Sequence, residues 1–363
     1  MPKLVVKNLR KVFESFEAVK DVSFQVEEKE TLCLLGPSGC GKTTTLRIIA
    51  GLEVPTSGEV FVDGVLVNDV PPQKRQIGLV FQDYAIFPHL SVFENIAYGL
   101  RVRKMPESQI ETKVHETAAL VDIESILDVP GKKLGLSEMQ RVAIGRSIAL
   151  NPKLLLLDEP LSNIDAKARE RMRAELGKLQ KEIGIATVYV THDQLEAMTL
   201  ADRIAVMRNG LIEQIGTTSE IYDNAKTLFV ANFIGSPSMN LIDCEVAYNE
   251  ERATLKSGDF NLDITEFAET IRDKSEGKEL VLGIRPENVS LDLVKTDPKA
   301  IEAEVQLVEP VGAKSIYHLK ISGLTVLAKG YPMPEVNVGS NVWAAFNKDK
   351  LHLFDKKTEQ AIF

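Results

Sequence analysis

Gly36-Pro37-Ser38-Gly39-Cys40-Gly41-Lys42-Thr43 is a complete G-x-x-x-x-G-K-[ST] phosphate loop. The apolar run Leu32 to Leu35 before it reads as a buried strand, and Thr44-Thr45-Leu46-Arg47-Ile48-Ile49-Ala50 after it reads as a helix. That strand–loop–helix context makes the pattern a site and not a chance turn. The glycines let the backbone curl so that N–H groups from Gly36 through Thr44 point at phosphate oxygens, and the helix start adds a favourable dipole. Lys42 brings a positive charge to the β and γ phosphates of a nucleotide, and the Thr43 hydroxyl is placed to ligate Mg²⁺.

A chain of 363 residues is too long for one ordinary domain, so two are expected. With 44% hydrophobic and 26% charged residues it reads as globular protein, and a net charge of −9 argues against general affinity for nucleic acid or anionic lipid. Cys33, Cys40 and Cys244 form no disulfide framework and lack metal-ligand spacing, which fits a reducing cytosol. Met1-Pro2-Lys3-Leu4-Val5-Val6-Lys7 turns polar too soon for a signal peptide, and no apolar run approaches the roughly 20 residues that span a bilayer. Work at a membrane would therefore go through a partner.

Strand character from Leu4 to about Gln25 precedes the loop; strands at 58–64 (ending in Asp63-Gly64) and 77–82 follow it. Residues 91–149 read as mostly helical. The apolar strand Leu154–Leu157, a charged helix from Ala166 to Glu182 and the β-branched run Ala186–Val190 come next. Strands alternating with helices imply an α/β doubly wound sheet with its site at the strand C-termini. A helical linker near Ser219–Ile234 and a break at Gly235-Ser236-Pro237-Ser238 lead into short strands near 280–284, 303–308, 315–321, 324–328 and 341–346, which read as a small antiparallel barrel-like domain.

Leu154-Leu155-Leu156-Leu157-Asp158-Glu159 has the form of a Walker B segment. Asp158 is expected to hold the Mg²⁺ shell through water and Glu159 to polarise the attacking water. Removing a γ-phosphate needs a held metal, a positioned water and charge compensation more than covalent chemistry. Gln82 and His192 each end a strand, so both are expected in the same crevice. Gln82 suits Mg²⁺ or water there, and His192 suits a γ-phosphate oxygen. Catalysis is thus expected from Glu159, His192, Gln82 and Lys42, with Thr43, Gln82 and Asp158 around the metal.

These elements, with Leu161-Ser162-Asn163-Ile164-Asp165 and Thr191-His192-Asp193, occur in the order of an ABC transporter ATPase. The chain resembles the subfamily that energises maltose-type sugar importers. Gly235-Ser236-Pro237-Ser238-Met239-Asn240 and Gly283-Ile284-Arg285-Pro286-Glu287 are similar to that subfamily's extra C-terminal domain. The resemblance implies a P-loop ABC-type nucleotide-binding domain over 1–235, with a helical subdomain at about 88–153, and an all-β OB-like regulatory and dimerisation domain over 236–363. It implies ATP and Mg²⁺, a homodimer with two interfacial ATP sites, two membrane permease subunits and an extracytoplasmic solute-binding protein. The place would be the inner face of the cell membrane, without nucleic acid. Phe13, with Phe16 as runner-up, would stack on adenine. Residues 82–94, including Tyr84, Phe87 and Pro88, would receive a coupling helix, and Asp165 would contact the second copy.

One segment departs from the family pattern. Leu-Ser-Gly-Gly-Gln is replaced within Lys133-Leu134-Gly135-Leu136-Ser137-Glu138-Met139-Gln140-Arg141-Val142-Ala143. Without a gap, Gly135 replaces the Ser and Leu136-Ser137 replace the glycines. A two-residue slip instead keeps Ser137 and Gln140 as contacts to the other copy's nucleotide, with a hydroxyl at the helix start; the slip is preferred for its chemistry. Either way, Glu138 adds repulsion toward a triphosphate unless it points away. A weakly hydrolysing ATP-binding subunit is the alternative this segment raises. Importers of polyamine, iron, sulfate or molybdate are alternatives for the solute, and an ABC ATPase of DNA repair or translation fits less well without a basic stripe.

Overall fold

The computed structural model describes residues 1–162, 164–249 and 252–363, so Asn163 of the Leu161–Asp165 stretch lies outside the described residues. Two compact units divide at Thr218/Ser219, ahead of the break expected at 235/236.

The first unit opens with the hairpin β1 (Leu4–Phe13) and β2 (Phe16–Val26), then β3 (Thr31–Leu35) and α1 (Lys42–Ala50). β4 (Ser57–Val62), β5 (Val65–Leu66) and β6 (Ile77–Val80) follow. Three helices, α2 (Val92–Val102), α3 (Glu107–Leu120) and α4 (Leu136–Ile148), precede β7 (Leu154–Asp158). The unit ends with α5 (Ala166–Ile183), β8 (Thr187–Thr191), α6 (Gln194–Leu200), β9 (Arg203–Arg208) and β10 (Leu211–Thr217).

Its main sheet has the order β10-β9-β3-β8-β7-β6, parallel from β9 to β6, with β10 antiparallel at the edge. β3, β7 and β8 are buried at every residue, as strands covered on both faces must be. The expected single doubly wound sheet accounts only for these strands. The order β2-β1-β4-β5 forms a second, antiparallel sheet, because hairpins at 13–16 and at Asp63-Gly64 (both φ positive) pair neighbours directly. The two sheets share a core in which Leu4, Val6 and Val22 meet Leu46, Ile49, Leu154 and Val188.

The second unit begins with residues of α7 (Thr218–Asp223) and continues through α8 (Leu228–Phe233), β11 (Asn240–Asn249), β12 (Arg252–Ser257), β13 (Phe260–Asp263) and α9 (Ala268–Lys274). β14 (Glu279–Ile284), β15 (Val289–Asp292), β16 (Ile301–Val311), β17 (Lys314–Ile321), β18 (Leu324–Gly330), β19 (Asn341–Phe346) and β20 (Leu351–Asp355) complete it. They form two five-stranded antiparallel sheets, β13-β12-β11-β14-β20 and β15-β19-β16-β17-β18, whose inner residues Leu255, Phe260, Leu282, Val305, Tyr317 and Leu319 make one core.

The two tail motifs meet at a buried cation. Arg285 is 2% exposed, and its guanidinium donates to Ile234 O (2.7 Å) and to Tyr222 O (2.6 and 3.1 Å) while lying 3.6 Å over the Tyr222 ring. Gly235 (φ +122°) is required beside it, since a Cβ there would stand 2.8 Å from the Arg285 Nη1. His352, also buried, is pushed down to about 4, first by burial and then by the Arg285 charge; Lys350 lowers it further and Asp223 opposes. Between its ordinary 6.5 and about 4 the unfolded chain holds a proton there that the folded chain refuses. His352 therefore withdraws stability as pH falls, by roughly 3 kcal/mol at pH 4. Urea unfolding at pH 7 and pH 4.5 should show a smaller acid-induced loss in His352→Leu than in the unaltered chain; equal losses would refute the assignment.

Candidate phosphate and metal site

The loop's shape is dictated by what surrounds it. A Cβ on Gly36 would stand 2.3 Å from Met207 O, and one on Gly41 (φ +104°) 2.5 Å from Ala18 O, so the chain can pass there only as glycine. Pro37, Ser38 and Gly39 form the exposed crest, and Thr43 and Thr44 are half-buried. Gly41 caps α1 without a side chain, and the first turn holds no acidic residue, which leaves its N–H groups to an anion. Lys42 is only 4% exposed; its Nζ folds over the loop and donates to Gly36 O (2.8 Å) and Pro37 O (3.0 Å). Burial pushes the Cys40 thiol up, so it sits protonated in the loop.

Two carboxylates emerge beside the loop because β7 lies next to β8, which lies next to β3. Asp158, 9% exposed, ends β7 and accepts from the Thr43 hydroxyl at 3.3 Å. Burial raises its affinity for a proton, the Thr43 hydrogen bond opposes this, and the Glu159 charge adds to it. That is the state of a carboxylate short of positive charge. Glu159 adopts φ +46°, a left-handed conformation uncommon for a residue with a side chain, and its N–H is held by Val190 O (2.9 Å). The turn aims its carboxylate at His192, with Oε2 3.0 Å from Nδ1. Glu159 is 19% exposed and His192 52%, so the pair is open to solvent on the histidine side. Gln82 lies two residues past β6, at the same carboxyl edge of the sheet, and is exposed.

Sequence reasoning missed what stiffens this edge. Asp193 caps α6 by accepting from Leu195 N (2.8 Å) and Glu196 N (3.2 Å), and Arg169 on α5 reaches it at 3.5 Å. Glu196, 2% exposed, accepts from the hydroxyls of Tyr189 and Thr191, both at 2.8 Å. His192 thus stands between two anchored residues. The Asp193-to-Glu196 spacing signalled a helix start, but nothing local pointed to Arg169.

Phe13 and Phe16 face each other across the end of the β1–β2 hairpin, 41% and 61% exposed, so neither is core. The same hairpin reaches the phosphate loop through Ala18 O against Gly41. Asp165 is the N-cap of α5 and accepts from Ala168 N at 3.1 Å.

The departed segment takes the ungapped register, correcting the preferred slip. Gly135 is the N-cap of α4, and Ser137 is the second residue inside the helix, so no hydroxyl stands at its start. Gln140 faces inward, 4% exposed, with its Nε2 on Pro160 O (3.4 Å). Glu138 bends back to accept from Gly135 N at 2.8 Å, which turns its charge onto its own helix.

Tyr84, expected within the surface that receives a coupling helix, is 5% exposed, and its hydroxyl donates to Pro160 O at 3.1 Å. It forms the floor of a cavity of about 200 Å³ walled by Phe81, Ala85, Tyr98, Arg146 and Leu150. Phe87 packs at the side, its ring tilted against Tyr98 at 4.7 Å and 4.4 Å from the Arg146 guanidinium. Asn95 pins both the N–H and the C=O of Phe87 (2.8 and 3.0 Å). Tyr98 and Arg146 come from α2 and α4, and only the packing of those helices brings them together.

Comparison with known proteins supplies the family. Residues 19–162 match the ABC transporter model, 235–289 the MalK OB fold domain and 282–354 the TOBE domain. The trehalose/maltose import ATP-binding protein MalK of Thermococcus litoralis is 43% identical, covering 97% of both chains. The sn-glycerol-3-phosphate import ATP-binding protein UgpC of Psychromonas ingrahamii is 41% identical over 100% of this chain and 96% of its own length. The oligosaccharides import ATP-binding protein MsmX of Bacillus subtilis is 39% identical over all of both chains. A solved structure of cbiO1 from Clostridium perfringens, part of the ABC transporter complex cbiONQ, covers 61% of this chain and 90% of its own at 28% identity with a TM-score of 0.56. The chain belongs to the ATP-binding proteins of ABC import systems and is an ATPase coupled to transport.

Proposed function

We propose that the chain powers import of a sugar or related polyol. It works as a pair of identical copies on Mg²⁺-ATP, against two integral membrane permease subunits fed by an extracytoplasmic solute-binding protein. The observation that carries this is similarity along the whole chain, tail domains included, to proteins whose names specify trehalose/maltose, glycerol phosphate and oligosaccharide import. Among the described residues no helix is long and apolar enough to cross a membrane, so the membrane path belongs to partners in this reading. The chain would sit on the inner face of the cell membrane, with the cavity over Tyr84, rimmed by Phe81 and Tyr98, taking an element of the permease. Residues 1–235 would carry the ATPase and 236–363 regulation and pairing.

The donor set fits Mg²⁺: a hydroxyl and an undercompensated carboxylate 3.3 Å apart, Thr43 and Asp158, with the Gln82 amide on the same sheet edge. When bound, the metal supplies positive charge to the β and γ phosphates. The loop N–H groups and Lys42 hold the phosphates, exchanging the Gly36 and Pro37 carbonyls for phosphate oxygens. Glu159 accepts the proton of the water that attacks the γ-phosphorus as the bond to the β–γ bridging oxygen breaks. In its doubly protonated form, with N–H on both ring nitrogens, His192 holds Glu159 in place through Nδ1 and donates from Nε2 to the γ-phosphate. Phe13 or Phe16 stacks on adenine.

The second copy's α4 start closes the site, and its donors are backbone N–H groups, which do not need glycine. Replacing Leu136 and Ser137 together by Gly is therefore expected to change the ATPase rate by less than about tenfold. A larger gain would mean that this segment impairs hydrolysis. The function itself is tested by reconstitution with the permease subunits. ATP hydrolysis that depends on Mg²⁺ and rises with the transported sugar and its binding protein is expected, and hydrolysis indifferent to every sugar offered would reject the solute class.

A further inference from the structure

A cavity of about 470 Å³ opens between the C-terminal half of α5, the end of α6 and the turn from β2 into β3. It lies at the amino end of β3, by Thr31, whereas the phosphate loop leaves the carboxyl end. Its volume falls within the range of small-molecule sites. Lys29, Arg173, Lys178 and Lys181 line it, against the single carboxylate of Asp202.

That carboxylate is already engaged: Asp202 accepts from Thr31 N at 2.8 Å, and its own N–H is held by Thr31 O. Lys178 is 3.6 Å from Glu182, but Lys29, Arg173 and Lys181 have no carboxylate at ion-pair distance among the described residues. Attraction to the negative end of α5 explains Lys178 and Lys181 in its last turns. It does not explain Arg173, more than a turn earlier, or Lys29, which comes from another element and is held in a left-handed conformation (φ +65°). Gly177 sits mid-helix, where glycine is unfavourable. A Cβ there would stand 3.0 Å from Leu200 Cδ2, so the glycine lets α6 close one wall of the cavity.

Gln180 also lines the cavity, and both its amide oxygen and its amide nitrogen are buried without a hydrogen-bond partner. A doubly unsatisfied buried amide is rare and asks for a reason. The amide is covered as the side chain stands; once turned toward the cavity, it finds both needs met by one ligand hydroxyl, which donates and accepts.

We propose that this cavity binds a phosphorylated polyhydroxy small molecule, its phosphate held by Lys29, Arg173 and Lys181 and a hydroxyl by Gln180. Calorimetric titration of the full chain, with the phosphate loop filled by saturating ADP, tests it with glucose 6-phosphate, inorganic phosphate and glucose as probes. Glucose 6-phosphate is expected to bind, inorganic phosphate more weakly, and glucose not at all. Arg173→Gln with Lys181→Gln should weaken glucose 6-phosphate by about tenfold or more. Gln180→Leu, or Gln180→Met if the first variant melts early, should erase the preference for glucose 6-phosphate over inorganic phosphate and leave phosphate binding unchanged. Three results would each overturn the proposal: no glucose 6-phosphate binding at millimolar concentration, unchanged affinity in the charge variant, or a preference that survives loss of the amide.

Discussion

Glu159→Gln is expected to lower ATP turnover by about 10²- to 10⁴-fold while ATP still binds. The amide keeps the shape and can still hydrogen-bond His192, now 3.0 Å away, so the left-handed turn and the site's geometry survive. What it loses is the ability to take a proton from water. Binding rests on other parts, the loop N–H groups and Lys42, so the variant should hold ATP and accumulate as a closed pair of copies. Rapid-quench turnover together with size-exclusion chromatography in ATP reads both halves. Ordinary turnover would remove Glu159 from the role of base, and lost ATP binding would show that the substitution disturbs the loop instead.

Arg285→Leu is expected to destabilise the second unit by about 2–6 kcal/mol, since two carbonyl oxygens lose their donor at about 1–3 kcal/mol each. Three guanidinium bonds to Ile234 O and Tyr222 O vanish together with the stacking on Tyr222, and leucine offers those carbonyls nothing. Ile234 O is buried with the arginine, so water does not replace its donor at once. The loss should appear as an earlier denaturant midpoint for the tail, while the first unit, whose cores lie elsewhere, keeps its own transition. A single unshifted transition would contradict this. Arg285→Lys should recover little, because one ammonium cannot span carbonyls that a planar fork reaches.

Much of the phosphate site was legible because each part is contiguous. The loop glycines, the leucines before Asp158 and the β-run before His192 declare strand ends by local pattern, and a parallel sheet gathers such ends on one edge. The register of residues 134–140 was not legible. Ser137 and Gln140 tempt a reader who matches side chains, whereas the helix start is set by Gly135 and by the capping Glu138. Tyr84 was placed on a receiving surface by resemblance alone, and it is Pro160, far along the chain, whose carbonyl holds its hydroxyl inward. Arg169 and Gln180 on α5 read as solvated charge and polarity until α6 packs beside them. In the tail, β11, β12, β13, β15 and β20 went unread because polar residues interrupt their apolar ones, so none stands out from the flanking loops as an apolar run.

Lys42, folded onto the carbonyls of Gly36 and Pro37, gives the loop a threshold for entry. An arriving anion competes with two good acceptors that are already in place and cost no association entropy. A solitary small anion gains little by that exchange, since it brings one charged group and must also give up water. A chain of linked phosphates engages the crest, the helix start and the lysine at once, and the joint gain exceeds what the carbonyls offer. The self-bonded lysine would therefore act as a filter on polyvalency, screening guests by how many groups they bring before any base or sugar is examined.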